Sequence, residues 1–138
     1  TKLENLGERQ IKIDCDVLQA DGGTRTASIS GGFVALYLAV KKFKENYNIQ
    51  KPIIKEFIGA VSSGIIDGKG NLDLDYQEDS AAEVDANFVI CESGKIAEIQ
   101  VTGEEYFFSE DQFDEIFKLA KIGIKEILNK QKEVLGLS

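Results

Sequence analysis

A pair of adjacent β-strands is predicted by the stretch VDANFVICESGKIAEIQV, residues 84–101. Apolar side chains occupy every second position of its first half, which is the period of a strand with one buried face. These side chains are Val84, Ala86, Phe88 and Ile90. The segment 92–95 contains a glycine and turns the chain, and residues 96–101 are expected to pair back.

Further strands are predicted on the N-terminal side of this pair. Alternating apolar residues indicate a half-buried strand over 9–19, and apolar and small residues indicate another over 56–66. The turn signal Asp67–Gly70 joins the latter to a short strand at 72–75, in which Asp73 and Asp75 would share one face. The acidic stretch 76–83 is predicted to be a loop or a bulged segment.

Two helices are predicted from apolar residues at helical spacing. The first covers about 26–46, with Thr26 or Ser28 near its cap. The second covers 109–132 and begins with a capping box formed by Ser109 and Gln112. The order β-α-β-β-β-β-α indicates an α+β domain with helices packed on a mixed sheet, occupying residues 1–138 without an internal boundary.

Composition narrows the possible chemistry. The chain has 138 residues, 43% apolar and 29% charged, as expected for one globular domain without a membrane span. It has no histidine, which excludes Ser-His and Cys-His nucleophiles and His-bound zinc. Cys15 and Cys91 are interpreted as buried thiols in a reducing compartment, so a cytoplasmic protein is expected. The net charge of −8, taken alone, argues against a nucleic-acid partner.

A glycine-rich segment, GGTRTAS at 22–28, lies between a predicted strand and a predicted helix. Free amides at a helix N-terminus attract anions, and glycines allow close approach of the backbone. Arg25 can grip a phosphate with two hydrogen bonds, and the hydroxyls of Thr24, Thr26 and Ser28 can add donors. The alternative is a tight turn with a hydroxyl cap and a solvated arginine.

An acidic cluster occupies thirteen residues near the middle of the chain. Its members are Asp73, Asp75, Glu78, Asp79, Glu83 and Asp85. Carboxylates held together must bind a cation, retain a proton or face water. Magnesium, which uses one or two carboxylates plus substrate phosphates, would suit such a site. A solvated acidic loop is the alternative.

Two long motifs resemble signatures of the ribonuclease PH family. They are IDCDVLQADGGTRTASI at 13–29 and LDLDYQEDSAAEVD at 72–85, and the whole chain resembles the C-terminal part of that family. The resemblance implies a fold related to ribosomal protein S5 domain 2. It also implies 3′-to-5′ trimming of RNA, notably transfer RNA 3′ ends, with inorganic phosphate as co-substrate, Mg²⁺ as cofactor and nucleoside diphosphates as products. The implied assembly is a homo-oligomeric ring, a trimer of dimers.

The resemblance also assigns roles to residues. Its phosphate ligands fall on Gly23, Thr24 and Arg25, and its catalytic or magnesium-linked aspartates fall on Asp79 and Asp85. Thr26, Ser28 and Asp73 are possible additions. Family members carry an arginine-rich, RNA-binding segment before the position of Thr1, so activity is expected to need that segment. The alternatives are a non-catalytic ring subunit of an exosome-like assembly and a phosphate-binding module without RNA turnover.

Overall fold

The structure is a computed structural model that describes residues 1–104 and 107–137. Its elements are a 3₁₀ turn at Leu3–Asn5, α1 at Thr24–Asn46, β1 at Ile58–Ile66, β2 at Lys69–Leu72, α2 at Tyr76–Ala81, β3 at Val84–Cys91, β4 at Ile96–Gly103 and α3 at Glu110–Val134. The strands form one sheet in the order β2-β1-β3-β4. The predicted α+β class is confirmed. The prediction of a mixed sheet is wrong, because the three strand pairings described are all antiparallel.

Helix α3 covers one face of the sheet. Ser109 and Gln112 form the predicted capping box, which satisfies exposed amides at the start of the helix. The apolar side of α3 packs on alternate residues of β1 and β3, and this contact is the main core. Its buried members are Val61, Ile65, Val84, Ala86, Phe88, Ile90, Ile116, Ala120 and Ile124. The side chains between them on β1 and β3 therefore face away from α3.

Helix α1 lies along β1, where β2 leaves part of that strand without a partner. Strand β2 pairs only with residues 63–66 of β1. Ser30 of α1 takes over at the free edge, since its hydroxyl accepts from the Ala60 amide at 3.0 Å and donates to the Ala60 carbonyl at 3.1 Å. Gln131 of α3 donates to the carbonyls of Ser30 and Ile58. These bonds fix the N-terminal half of α1 relative to the sheet.

The strand predicted at 9–19 is not formed. This segment lies along α1 instead: a Cβ placed on Gly32 would be 3.4 Å from Cγ2 of Ile13, and the Cys15 thiol lies 3.7 Å from the Ser28 carbonyl. A helix has no free strand edge, so the segment has no ladder to join. Cys15 is consequently exposed rather than buried as predicted. Cys91 is partly buried, and both thiols are free.

Two further predictions need correction around the acidic segment. Residues 76–81 are helix α2 rather than a loop, because Asp75 and Glu78 form a capping box. The short strand is 69–72, so Asp73 and Asp75 do not share a strand face. Asp73 follows the strand with a φ of +58°, which ends the extended conformation. Among the described helices, none is long and apolar enough to cross a membrane.

Candidate active site

The glycine-rich segment forms the N-terminus of α1. Gly23 is the N-cap residue, with a left-handed φ of +69°, and no side chain caps the helix. The helix therefore begins at Thr24, two residues before the predicted start, and its N-cap residue is Gly23 rather than Thr26 or Ser28. The amides of Thr24, Arg25 and Thr26 have no acceptor within the helix, and they lie at the positive end of its dipole. This geometry suits an anion.

The hydroxyls of this segment point back into the protein. The Thr24 hydroxyl donates to the Asp21 carbonyl at 3.0 Å, and the Thr26 hydroxyl donates to the Gly23 carbonyl at 2.8 Å. The Ser28 hydroxyl donates to the Thr24 carbonyl at 2.8 Å. In this arrangement the segment presents backbone amides rather than hydroxyls to an anion.

Asp21 ties the glycine segment to the acidic segment. Its Oδ1 accepts from the Gly22 amide at 3.0 Å and from the Tyr76 amide at 2.9 Å, at the start of α2. Gly22 packs so closely that an added Cβ would lie 1.9 Å from the Leu74 carbonyl oxygen. The N-terminus of α1 and the helix that carries Asp79 are therefore held against each other.

Two of the predicted aspartates interact electrostatically. Asp79 is exposed on α2, and Asp85 is half-buried on β3. Burial raises the pKa of the Asp85 carboxyl, and the charges of Asp79 and Glu104 raise this pKa further. Asp73 is close to the glycine segment, with Oδ1 3.6 Å from the position that a Cβ on Gly23 would take. The structure thus places Asp73 beside Gly23, and it places Asp79 and Asp85 close enough for their charges to interact.

Arg25 reaches a different part of the same sheet face. Its Nη2 lies 2.7 Å from Oε1 and 2.9 Å from Oε2 of Glu98 on β4, and both side chains are about half exposed. Glu98 pairs with Val89 in the register that pairs Thr102 with Asp85, so Glu98 and Asp85 share a face. Four residues of strand separate the two positions, which is roughly 13 Å. Arg25 therefore lies on the same face of the sheet as Asp85, but its guanidinium is paired with the Glu98 carboxylate.

Polar residues fill the sheet between these two positions. Ser62, Asn87 and Gln100 are directly opposite one another across β1, β3 and β4. All three face away from α3, and Ser62 lies under Gly23, with its hydroxyl 3.4 Å from the position of an added Cβ. The candidate site is thus a polar sheet face bounded by the N-terminus of α1, helix α2 and the Arg25–Glu98 pair.

Sequence reasoning did not identify several residues of this site. Asp21 lies within the motif at 13–29, but its role as a link depends on a contact with a residue 55 positions away. The places of Glu98 and Glu104 in the site likewise depend on how the strands pair, which is not visible in the local sequence. Ser62 left a local signal, since two adjacent serines interrupt an otherwise apolar strand.

The carboxylate pair can be tested for its fit to a divalent cation. Among the described residues, no group of three or more acidic or thiol side chains could surround a metal ion. Asp79 and Asp85 offer hard oxygen ligands, so a cation there would take its remaining ligands from substrate phosphates and water. Mg²⁺ has this preference, and the pair fits it.

Comparison with known proteins first gives the class of protein. Residues 56–123 match the model of the 3′ exoribonuclease family, domain 2. This match covers β1 to the middle of α3 and includes Asp73, Asp79 and Asp85. Together with the matches to individual relatives, which cover nearly all of this chain, it shows that the chain belongs to this family, of which it represents a C-terminal portion.

The relatives are ribonucleases PH. The chain is 54% identical over 132 residues to ribonuclease PH of Syntrophomonas wolfei, and 52% identical over 135 residues to that of Bacillus subtilis. These matches cover 96% and 97% of the chain but only 55% of each relative, so the chain spans about half their length. An archaeal exosome core structure superposes with a TM-score of 0.62 at 20% identity, covering 83% of this chain and 47% of that one. This likeness supports the fold, in agreement with an S5 domain 2-like architecture.

Proposed function

We propose that this chain carries the phosphate site and the catalytic carboxylates of a phosphorolytic 3′-to-5′ exoribonuclease. The similarity to ribonuclease PH supports this function. The observation that carries the proposal is the Asp21 carboxylate, which joins the Gly22 and Tyr76 amides. It holds the N-terminus of α1 against the helix that bears Asp79, which supports a common site for the phosphate and the carboxylates.

The reaction requires two anions to meet. An oxygen of inorganic phosphate attacks the last phosphodiester phosphorus of the RNA, the bond from phosphorus to the 3′-oxygen breaks, and a nucleoside 5′-diphosphate leaves. The amides of residues 24–26 and the Arg25 guanidinium would stabilise the attacking phosphate. The Asp79–Asp85 pair would either hold a cation at the scissile phosphate or give a proton to the departing 3′-oxygen. The raised pKa of Asp85 suits the second role only in the absence of a cation, because a bound cation would keep this carboxylate ionised and favour the first role.

Mg²⁺ is part of this proposal. Asp79 and Asp85 would hold it, and it would supply positive charge to the phosphoryl oxygens. Dependence of turnover on added MgCl₂ tests this point separately from dependence on phosphate.

The proposed partners are RNA, in particular transfer RNA 3′ ends, and further copies of the chain in a trimer-of-dimers ring. Exposed apolar side chains favour assembly, among them Val17, Leu18 and Ile99. The chain itself carries a net charge of −8, so the basic surface for RNA would come from the other half of the family's length. A cytoplasmic location is also proposed, on the basis of the two free thiols.

The decisive experiment measures phosphate-dependent release of nucleoside diphosphates from a 3′-extended transfer RNA. It is run with the chain alone and with the chain joined to the N-terminal portion of the Bacillus subtilis relative. We expect activity in the joined protein, because that portion restores the full length of a ribonuclease PH. Release of monophosphates without added phosphate would instead indicate hydrolysis. RNA and phosphate binding without turnover would favour a non-catalytic ring subunit.

Variants of the joined protein locate the site. Arg25→Ala is expected to raise the phosphate concentration needed for half-maximal rate by about tenfold, the effect of one hydrogen bond to a charged group. Asp79→Ala is expected to lower kcat, by about 100-fold at saturating phosphate, with the fold intact. If both variants had the kinetic constants of the unmodified protein, the site assignment would be wrong.

A further inference from the structure

Two adjacent serines lie in the middle of β1, and both are buried. Ser62 and Ser63 are 3% and 0% exposed in an otherwise largely apolar strand. Because side chains of a strand alternate, they face opposite sides of the sheet. Ser63 faces α3, and its hydroxyl donates to the Ile116 carbonyl at 3.3 Å. The buried Ser63 hydroxyl is therefore satisfied by a hydrogen bond within the fold.

Ser62 has no such explanation. Its hydroxyl has no hydrogen-bond partner within residues 1–104 and 107–137, although it is buried. Alanine would fill a similar volume without this unsatisfied group, whose burial costs free energy. A hydroxyl at this position is therefore expected to serve a partner from outside the described chain.

The surroundings of Ser62 indicate what that partner is. Its hydroxyl lies 3.4 Å from the position that a Cβ on Gly23 would take, at the N-terminus of α1. The Asp73 amide donates to the Ser62 carbonyl at 2.8 Å, which fixes the backbone beneath this helix end. The hydroxyls of Thr24, Thr26 and Ser28 already donate to carbonyls of the chain. Among these four hydroxyls, Ser62 has the one that is available to an anion at the helix end.

We propose that the Ser62 hydroxyl donates a hydrogen bond to the inorganic phosphate held at the N-terminus of α1. Gly23 leaves this path open, because it has no side chain over the hydroxyl. The inference rests on the proposed function and extends it by a phosphate-binding residue on the sheet, outside the glycine-rich segment. An ordered water that only fills the space under Gly23 is the competing explanation for the unpaired hydroxyl.

The test compares Ser62→Ala with Ser63→Ala, a matched pair on opposite faces of the strand. Binding of inorganic phosphate is measured by calorimetry, and the kinetic constants for phosphate and RNA are measured in the joined protein. Ser62→Ala is expected to weaken phosphate binding about tenfold, with an unchanged KM for RNA and no loss of thermal stability. Ser63→Ala is expected to lower thermal stability and leave phosphate binding unchanged.

The result that overturns the inference is also specific. Phosphate binding by Ser62→Ala equal to that of the unmodified protein, with lower stability, would show a purely structural hydroxyl. Should Ser62→Ala fail to fold, Ser62→Cys keeps the volume and is expected to lose most of the same affinity, since a thiol is a weak donor. If the unmodified joined protein neither binds phosphate nor degrades RNA, the proposed function itself fails, and this outcome is distinct from failure of the Ser62 inference.

Discussion

The two faces of the sheet differ in how completely their side chains are packed and hydrogen-bonded. On the α3 face, apolar side chains fill the space under the helix, and the buried Ser63 hydroxyl is bonded to Ile116. On the opposite face, Ser62, Asn87 and Gln100 form a polar row beside Asp85, and the Ser62 hydroxyl is unpaired. The first face holds the fold together. The second has one buried hydroxyl without a partner among the described residues, and it has carboxylates whose charges interact.

This difference predicts that the polar face tolerates substitutions that the α3 face would not. Replacing a polar functional group on this face should leave the packing of the sheet intact, because few apolar contacts depend on that group. Three substitutions test this separation, and we give them from the largest expected effect to the smallest.

Asp85→Asn should separate activity from stability most clearly. In the joined protein we expect turnover to fall by about 100-fold or more, since the pair loses a charge and a proton carrier. The fold should persist, because asparagine keeps the shape of the side chain. Asp67→Asn is the matched control: Asp67 is an exposed turn residue with a φ of +50°, a conformation that asparagine adopts readily. Loss of folding in Asp85→Asn would contradict the separation of the two faces.

The raised pKa of Asp85 also predicts how the difference in stability between Asp85→Asn and the unmodified protein changes with pH. Below the ordinary pKa of an aspartate, the Asp85 carboxyl is protonated in both the folded and the unfolded state. Its contribution to the stability of the fold is then fully present. As the pH rises through the raised pKa of the folded state, ionisation costs the native protein free energy. Between the ordinary pKa of an aspartate and the raised pKa of folded Asp85, Asp85→Asn should therefore gain stability relative to the unmodified protein. Urea unfolding in metal-free buffer measures this difference. A constant difference between the two proteins across the interval would contradict the raised pKa.

The sequence predicted the packed face better than the polar face. Helix α3, its Ser109 cap and the hairpin of β3 and β4 are encoded locally, in periodicity and in a capping box, and the structure contains them. The strand predicted at 9–19 failed because alternation does not supply a pairing partner. Helix α2 was missed because its six residues are too short to show a period, although Asp75 and Glu78 marked its start.

The candidate site was predicted in its parts but not in its connections. The glycine segment and the aspartates were identified from motifs, whereas their contact depends on Asp21 and on the closeness of Gly22 to Leu74. The Arg25–Glu98 pair joins residues 73 positions apart. Such contacts follow from how the sheet is assembled, which no local pattern contains.

Gly22→Ala should disrupt the junction between the two motifs. The added Cβ would meet the Leu74 carbonyl oxygen at 1.9 Å, so the glycine segment and the start of α2 must separate. We expect about 1–3 kcal/mol of destabilisation. Turnover should fall by up to about 100-fold, because displacement of catalytic groups by 1 Å has that effect.

Gly31→Ala is the control for Gly22→Ala, since nothing lies within 4 Å of its added Cβ. Gly31 is exposed on α1, where alanine favours the helix by roughly 1 kcal/mol. This variant should keep its activity and unfold at the same or a higher urea concentration. Equal behaviour of the two alanine variants would mean that the contact of Gly22 with Leu74 does not organise the site.

Glu98→Gln should have the smallest effect and should refine the description of the polar face. The Glu98 carboxylate holds the Arg25 guanidinium, so an incoming phosphate must compete with it. An exposed ion pair of this kind contributes about 0.2–1 kcal/mol, which corresponds to a decrease in the KM for phosphate of at most about fivefold when the carboxylate is removed. Glu92→Gln is the matched control, because Glu92 pairs with Lys132 in another exposed ion pair and should leave this KM unchanged. A higher KM in Glu98→Gln would mean that Glu98 orients Arg25 toward the phosphate, and the polar face would then be organised before substrate binds rather than rearranged by it.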